Sequence, residues 1–254
     1  MTMPSHLTLP SAADLAAVSA SRTARWRPGL RDASHSEVFA GSAECAGAAV
    51  ALSLALDDWR MRERPETGEA EDRRAVLWVQ TRAAVKLGGR PYRPGLPREV
   101  SHRLIHVIAE KDADALFALE EGLRCREIAF VMGEVVGNPK ALDFTASRRL
   151  SLAAERHGVK LWLVRLDARP DLSSARLRWR VEAAPSSPHG PNTQAPGTPA
   201  WHATLFRARA HAPGEWILTD DGRALSAARS RDENAAPYPV DLVRRTPGRS
   251  LAAV

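Results

Sequence analysis

Apolar and polar positions alternate most clearly between Arg103 and Arg165. An apolar run, Leu104–Ala109, is broken by Glu110, Lys111 and Asp112, and a helix-like segment, Ala113–Arg124, follows. A second apolar run, Ile128–Val136, precedes a longer helix-like segment, Leu142–His157, and a third run covers Val159–Val164. Short, nearly unbroken apolar runs separated by amphipathic helices are what a parallel sheet requires, because both faces of each strand are covered. The pattern predicts strand, helix, strand, helix, strand, joined by right-handed crossovers.

Towards the N-terminus, Ser11 is placed to cap a short helix through Val18, and Arg22–Asp32, with Pro28 and Gly29, has the composition of a linker. Ser36–Ala40 is a strand candidate, followed by a glycine-containing turn and an apolar helix, Ala48–Met61. The charged stretch Glu63–Arg74 lacks apolar periodicity and is expected as an exposed loop, and Ala75–Gln80 is a further buried strand. Beyond Val164 the period changes to two. Ala175–Glu182, Trp201–Arg207 and Glu215–Thr219 are expected as strands with one wet face. Between the first two, Pro185–Pro199 holds five prolines in fifteen residues and is expected to be a flexible loop. The organisation expected is a helix and linker over 1–34, an α/β core over 35–219, and a disordered tail over 220–254. Within the core, the strands at Ala75, Leu104, Ile128 and Val159 are expected at the centre, with an antiparallel C-terminal extension on one side.

A chain of 254 residues with 44% apolar content supports such a core, and no apolar run is long enough to span a membrane. Met1–Pro10 lacks the basic start and apolar segment of a secretory signal, and the two cysteines, Cys45 and Cys125, have no CxxC spacing. A reduced, cytoplasmic setting is therefore expected. The net charge is +6, and 32 of the 36 basic residues are arginine. Arginine suits phosphate and carboxylate recognition, yet the same bias follows from a GC-rich genome, so charge permits nucleic-acid contact without establishing it.

The turn after Ala40 sits where α/β nucleotide-binding folds hold phosphate. A working loop needs close glycines, a lysine for the terminal phosphates and a Ser or Thr for magnesium. Here Gly41 and Gly47 enclose five residues, and Ala48 and Ala49 stand in the places of the lysine and the hydroxyl. The second strand ends in Gln80 rather than a carboxylate. Glu134 is the one carboxylate at a strand end facing the presumed cleft, and is expected as a helix-capping or solvated group. His106 is expected as a core or edge histidine. No catalytic residue, cofactor or metal site is assigned. Trp78 and Trp162 are expected in the core. Trp179, Trp201 and Trp216 alternate with Arg176, Arg178, Arg180, Arg207 and Arg209. Such a face either stacks bases or anchors a protein, or is a sheet with a Trp-lined inner side and a solvated Arg side; the second is favoured. Arg148 and Arg149, on the helix before Val159, are a further candidate contact with a partner.

Several phrases carry a family resemblance. Glu37–Gly41, Leu104–Val136, and Thr145–Glu155 with Val159–Val164 resemble a RecA-type core. Leu116–Cys125, Leu142–Glu155 and Trp201–Trp216 are more particular, and resemble the ImuA family of bacterial inducible mutagenesis proteins, related to RecA and to SulA-like division inhibitors. The resemblance covers Ser36–Thr219. It implies a RecA-like, mostly parallel sheet and a DNA-damage-induced (SOS) accessory role in translesion synthesis. The partners it implies are ImuB, which is a Y-family polymerase relative, an error-prone DnaE-type polymerase, RecA, and DNA through the complex. With the lysine and hydroxyl missing, ATP hydrolysis is not expected. The alternatives are a RecA-type ATPase with an altered loop and, more remotely, a SulA-like inhibitor of division.

Overall fold

The computed structural model describes residues 25–30, 33–44, 46–62, 72–187, 195 and 197–229. Its framework is one nine-stranded sheet in the order β3-β2-β4-β5-β1-β6-β7-β8-β9. The strands are β1 (His35–Ala40), β2 (Ala75–Thr81), β3 (Leu104–Ala109), β4 (Ile128–Val136), β5 (Lys160–Leu166), β6 (Leu177–Ser187), β7 (Thr198–Ala208), β8 (Gly214–Asp220) and β9 (Leu225–Arg229). The helices are α1 (Ala46–Arg62), α2 (Arg82–Gly88), α3 (Arg98–Ser101), α4 (Asp112–Arg124) and α5 (Phe144–His157), with one 3₁₀ turn at Arg93–Gly95. The first six strands in space are joined in parallel, and β7, β8 and β9 each run antiparallel to the strand before. The α/β class, the mostly parallel sheet and the antiparallel C-terminal part are as the sequence predicts.

The centre differs. β1, not β2 or β4, is the middle strand, paired with β5 on one side and β6 on the other, both in parallel. All six of its residues are buried, including His35, Ser36 and Glu37. β3 is instead an edge, with Ile105 46% exposed. β6 is thus the last parallel strand, and antiparallel pairing begins one strand later than expected. Polar residues in β1 hide its central place, because their partners come from far along the chain: Ser151, Ser173 and Arg178.

α1 lies on one face and α4 and α5 on the other, each with its own apolar cluster. Seven consecutive α1 residues, Val50–Leu56, are buried, as expected of a helix that is apolar all round. Gly47 at its start allows this approach, since a Cβ there would lie 2.8 Å from Ala40 Cβ and 2.9 Å from Val164 Cγ1. α5 is bounded by Asp143, whose side chain accepts from the Ala146 N–H at 2.7 Å, and by Gly158 at φ 70°.

Three stretches expected as irregular contribute to the fold. Arg25–Leu30, within the expected linker, packs Trp26 edge-on against Trp179 and Trp216, with ring centroids 4.7 and 5.4 Å apart. Gly29 N–H donates to Asp57 at 2.6 Å. β6 and β7 extend into the expected proline-rich loop, to Ser187 and from Thr198. β9 lies in the expected tail, where Leu225 is buried against the α1-side core. The helix at 11–18, most of the charged stretch 63–71, the middle of the proline-rich loop, Cys45 and the segment after 229 lie outside the described residues. Among the described residues, no helix is long and apolar enough to cross a membrane.

Candidate functional site

In open α/β sheets, ligands bind beyond the C-terminal ends of the strands, where the strand order reverses. Here that place is the crevice above β1, β2 and β4. It has a volume of about 110 Å³ and is lined by Ser42, Glu44, Ala48, Trp78, Gln80 and Glu134, with Arg90 at its side. Nucleotide-sized pockets run to about 300 Å³ or more. No lysine lines it.

Groups of the chain itself occupy the hydrogen-bonding positions of the loop. The Ser42 backbone N–H, which an anion would otherwise take, donates to Asp167 Oδ1 at 2.8 Å. The Ser42 hydroxyl and this N–H together hold the Asp167 carboxyl below the usual carboxylate range. Asp167 adopts a left-handed backbone at φ 51°, and its N–H returns to Ala40 O at 3.0 Å. Glu44 accepts from the Ala183 N–H at 2.6 Å, tying the loop to β6. Each contact puts a carboxylate where phosphate binding needs positive charge or free donors.

Deeper in the crevice, Glu134 is only 3% exposed and accepts the Trp78 indole N–H at 2.6 Å. Burial pushes its carboxyl up, while the Trp78 indole and the Gln80 amide hold it partly down. Gln80 donates to Gly89 O at 3.0 Å, which leaves its oxygen to accept from His106 Nε2 at 2.8 Å. Burial and the nearby Arg90 and Arg93 keep His106 below its usual range. Glu134 is therefore neither a cap nor a solvated group, because the indole donor beside it compensates its burial. His106 sits on the edge strand as expected.

The tryptophan–arginine strands divide cleanly between two faces. Trp179, Trp201 and Trp216 are all buried on the α1 side. Arg178 is buried on the other side with Glu37, its Nε donating to Glu37 Oε2 at 2.7 Å. Arg165, 1% exposed, lies 3.5 Å from Glu37 and 3.3 Å from Asp171. Ser173 donates to Glu37 Oε1 at 2.8 Å and shares a 2.9 Å hydrogen bond with Ser147. The Arg165 and Arg178 guanidiniums stand 5.5 and 5.0 Å from the Phe39 ring. Arg176 pairs with Glu155, and Arg149 pairs with Glu120 at 2.5 Å. Arg148, Arg180, Arg207 and Arg209 are exposed, Arg180 with its guanidinium 5.5 Å from the Phe206 ring. The tryptophans therefore build core rather than surface, and the arginines divide into a buried network and an exposed set.

Glu37, Arg165, Asp171, Asp167 and Trp26 were not singled out from the sequence. The one signal for the first was a glutamate inside a short apolar strand. Among the described residues, no group of three or more His, Cys, Asp or Glu side chains is placed to hold a metal ion.

No family model matches the chain. Two curated relatives, each named Protein ImuA and belonging to two strains of Caulobacter vibrioides (NA1000/CB15N and ATCC 19089/CIP 103742/CB 15), are both 32% identical to it. Each match runs over 194 residues and covers 70% of this chain and 70% of the relative.

Proposed function

This chain belongs to the ImuA family, and from that premise we propose that it is a non-catalytic accessory protein of DNA-damage-induced mutagenesis. It acts beside an ImuB-type polymerase relative and an error-prone DnaE-type polymerase in translesion synthesis, as an adaptor. The observation that carries the non-catalytic part is the first loop, where Asp167 holds the Ser42 N–H. Ala48 lines a crevice of about 110 Å³ together with Glu44 and Glu134. A phosphate-loop lysine supplies a point charge that backbone donors alone do not replace, and here one of those donors is already taken.

The test has two parts. Purified protein should show no ATP turnover above background, with or without single-stranded DNA. DNA-stimulated hydrolysis that is abolished by Gly41→Ala, where an added Cβ meets open space, at an unchanged melting temperature would establish the ATPase reading instead. Co-sedimentation with the ImuB-type partner should give the same complex with and without ATP. A complex that forms only with ATP, or no complex at all, would overturn the adaptor reading.

A further inference from the structure

Beside α5 runs an open groove of about 430 Å³ that has no part in the crevice described above. Phe144, at the first turn of α5, and Glu155, near its last, form one wall. Arg207 and Arg209, at the end of β7, form the other, and the segment Ser173–Arg176 forms the floor. An irregularity in the strand makes this wall basic. After Leu205, strict alternation would turn Arg207 towards the tryptophan core. A register shift instead pairs Trp179 with Leu205 and Arg178 with Arg207, leaving Phe206 as an extra residue. Phe206 packs against Phe39 at 5.7 Å, and Arg207 then faces the groove.

Charges in the groove do not cancel. Glu155 is the one carboxylate in its lining, and Arg176 pairs with it. Arg207 and Arg209 are exposed and have no carboxylate partner among the described residues. Ser174 adds a hydroxyl, and Phe144 is 47% exposed. Guanidinium forks with a hydroxyl suit phosphate oxygens, and a half-exposed aromatic ring among them suits the face of an unpaired base. An acidic peptide would use the same guanidiniums, but the exposed ring beside them favours a partner with a flat face to stack on it, which a base supplies.

We propose that this groove binds a single strand of nucleic acid, with phosphates on Arg207 and Arg209 and a base stacked on Phe144. The site is separate from the nucleotide-like crevice, and binding there needs no ATP and no polymerase partner.

The test is fluorescence anisotropy of the full chain alone with a labelled oligothymidine of about 20 nucleotides, long enough to fill a single-strand site, between about 50 and 200 mM salt. Saturable binding is expected. R207A/R209A should weaken it at least tenfold and lower the slope of log affinity against log salt by about 1.4, since each single-strand phosphate contact contributes about 0.7. F144A should weaken binding on the order of tenfold with the slope unchanged. The control R82A/R98A removes two exposed arginines near the β2–β3 edge and should change affinity less than about twofold, as expected of a distant, independent site. Thermal melts of all variants should match the parent. Absence of saturable binding at the lowest salt, an equal loss in the control, or unchanged affinity in F144A would overturn the proposal. Displacement of the oligonucleotide by poly-glutamate at equal charge concentration would assign the groove to an acidic protein instead.

Discussion

Trp26 lies in a stretch with the composition of a linker, yet it is 5% exposed, with its ring against those of Trp179 and Trp216. Replacing it with alanine tests whether that stretch belongs to the core. Burying an indole removes on the order of 200 Å² from water, which at about 25 cal/mol/Å² gives an upper bound of about 5 kcal/mol. Alanine retains a small part of this, while each edge-on aromatic pair adds about 0.5–1.5 kcal/mol beyond burial. Core Trp or Phe to Ala changes cost about 3–5 kcal/mol, so about 4 kcal/mol is expected. For a chain of this size, about 2–4 °C of melting temperature is lost per kcal/mol, giving a drop of about 8–16 °C. Scanning calorimetry of the full chain measures it, and Trp26→Phe should recover about half the loss by restoring one ring. If Trp26→Ala melts within about 2 °C of the parent, the three rings do not share a core and the reasoning fails.

Two further outcomes follow from the buried network on the opposite face. Glu37→Gln keeps the shape but leaves the partly exposed Asp171 as the carboxylate beside Arg165 and Arg178, so urea unfolding should show a loss of about 3–5 kcal/mol at unchanged slope; a loss under about 1 kcal/mol would mean that water or rearrangement screens the arginines. Complete burial, opposed by Glu37 and reinforced by Arg178 and Arg165, lowers His35 from 6.5 to about 4. The unfolded chain therefore binds more protons between those values, and stability should fall as pH drops from about 6.5 towards 4, by about 3 kcal/mol in all. His35→Gln should flatten that part of the pH profile, and an equally steep profile in the variant would place the titration elsewhere.

The elements legible in the sequence are those whose neighbours cover both faces. The strand Leu104–Ala109 and the strand Ile128–Val136 have the bounds that their apolar runs predict. The helix before Val159 ends at the predicted His157 and starts two residues late, at Phe144, because Asp143 caps it. The alternation in β6 to β8 separates a tryptophan side from an arginine side, but Arg178 on the expected solvated side is buried against Glu37. What the pattern does not carry is compensation at a distance. His35 and Glu37 read as polar interruptions, although Ser151 Oγ lies 2.8 Å from His35 Nδ1 and Arg178 serves Glu37. β9 reads as a polar tail because its ordering comes from pairing with β8 and from one buried leucine. The bulge that turns Arg207 outward leaves no mark in composition. Period-two counting assigns that residue to the wrong face as soon as one extra residue enters the strand.

The first loop also bears on how a complex containing this protein would be switched. A ligand shifts a conformational equilibrium only by its difference in affinity between two states. In a nucleotide-driven machine that difference comes from loop donors that are satisfied with phosphate bound and unsatisfied without it. Here the Ser42 N–H is satisfied by Asp167, Glu44 is held by the Ala183 N–H, and Glu134 by the Trp78 indole. The first two contacts tie the loop after β1 to the end of β5 and to β6, and the third joins β2 to β4 beside it. ATP would have to displace a carboxylate to gain donors, so it has little differential affinity to offer. Under the proposed function, switching must then come from contacts outside this crevice, and the exposed Arg207 and Arg209, which have no carboxylate partner among the described residues, are one such set of groups.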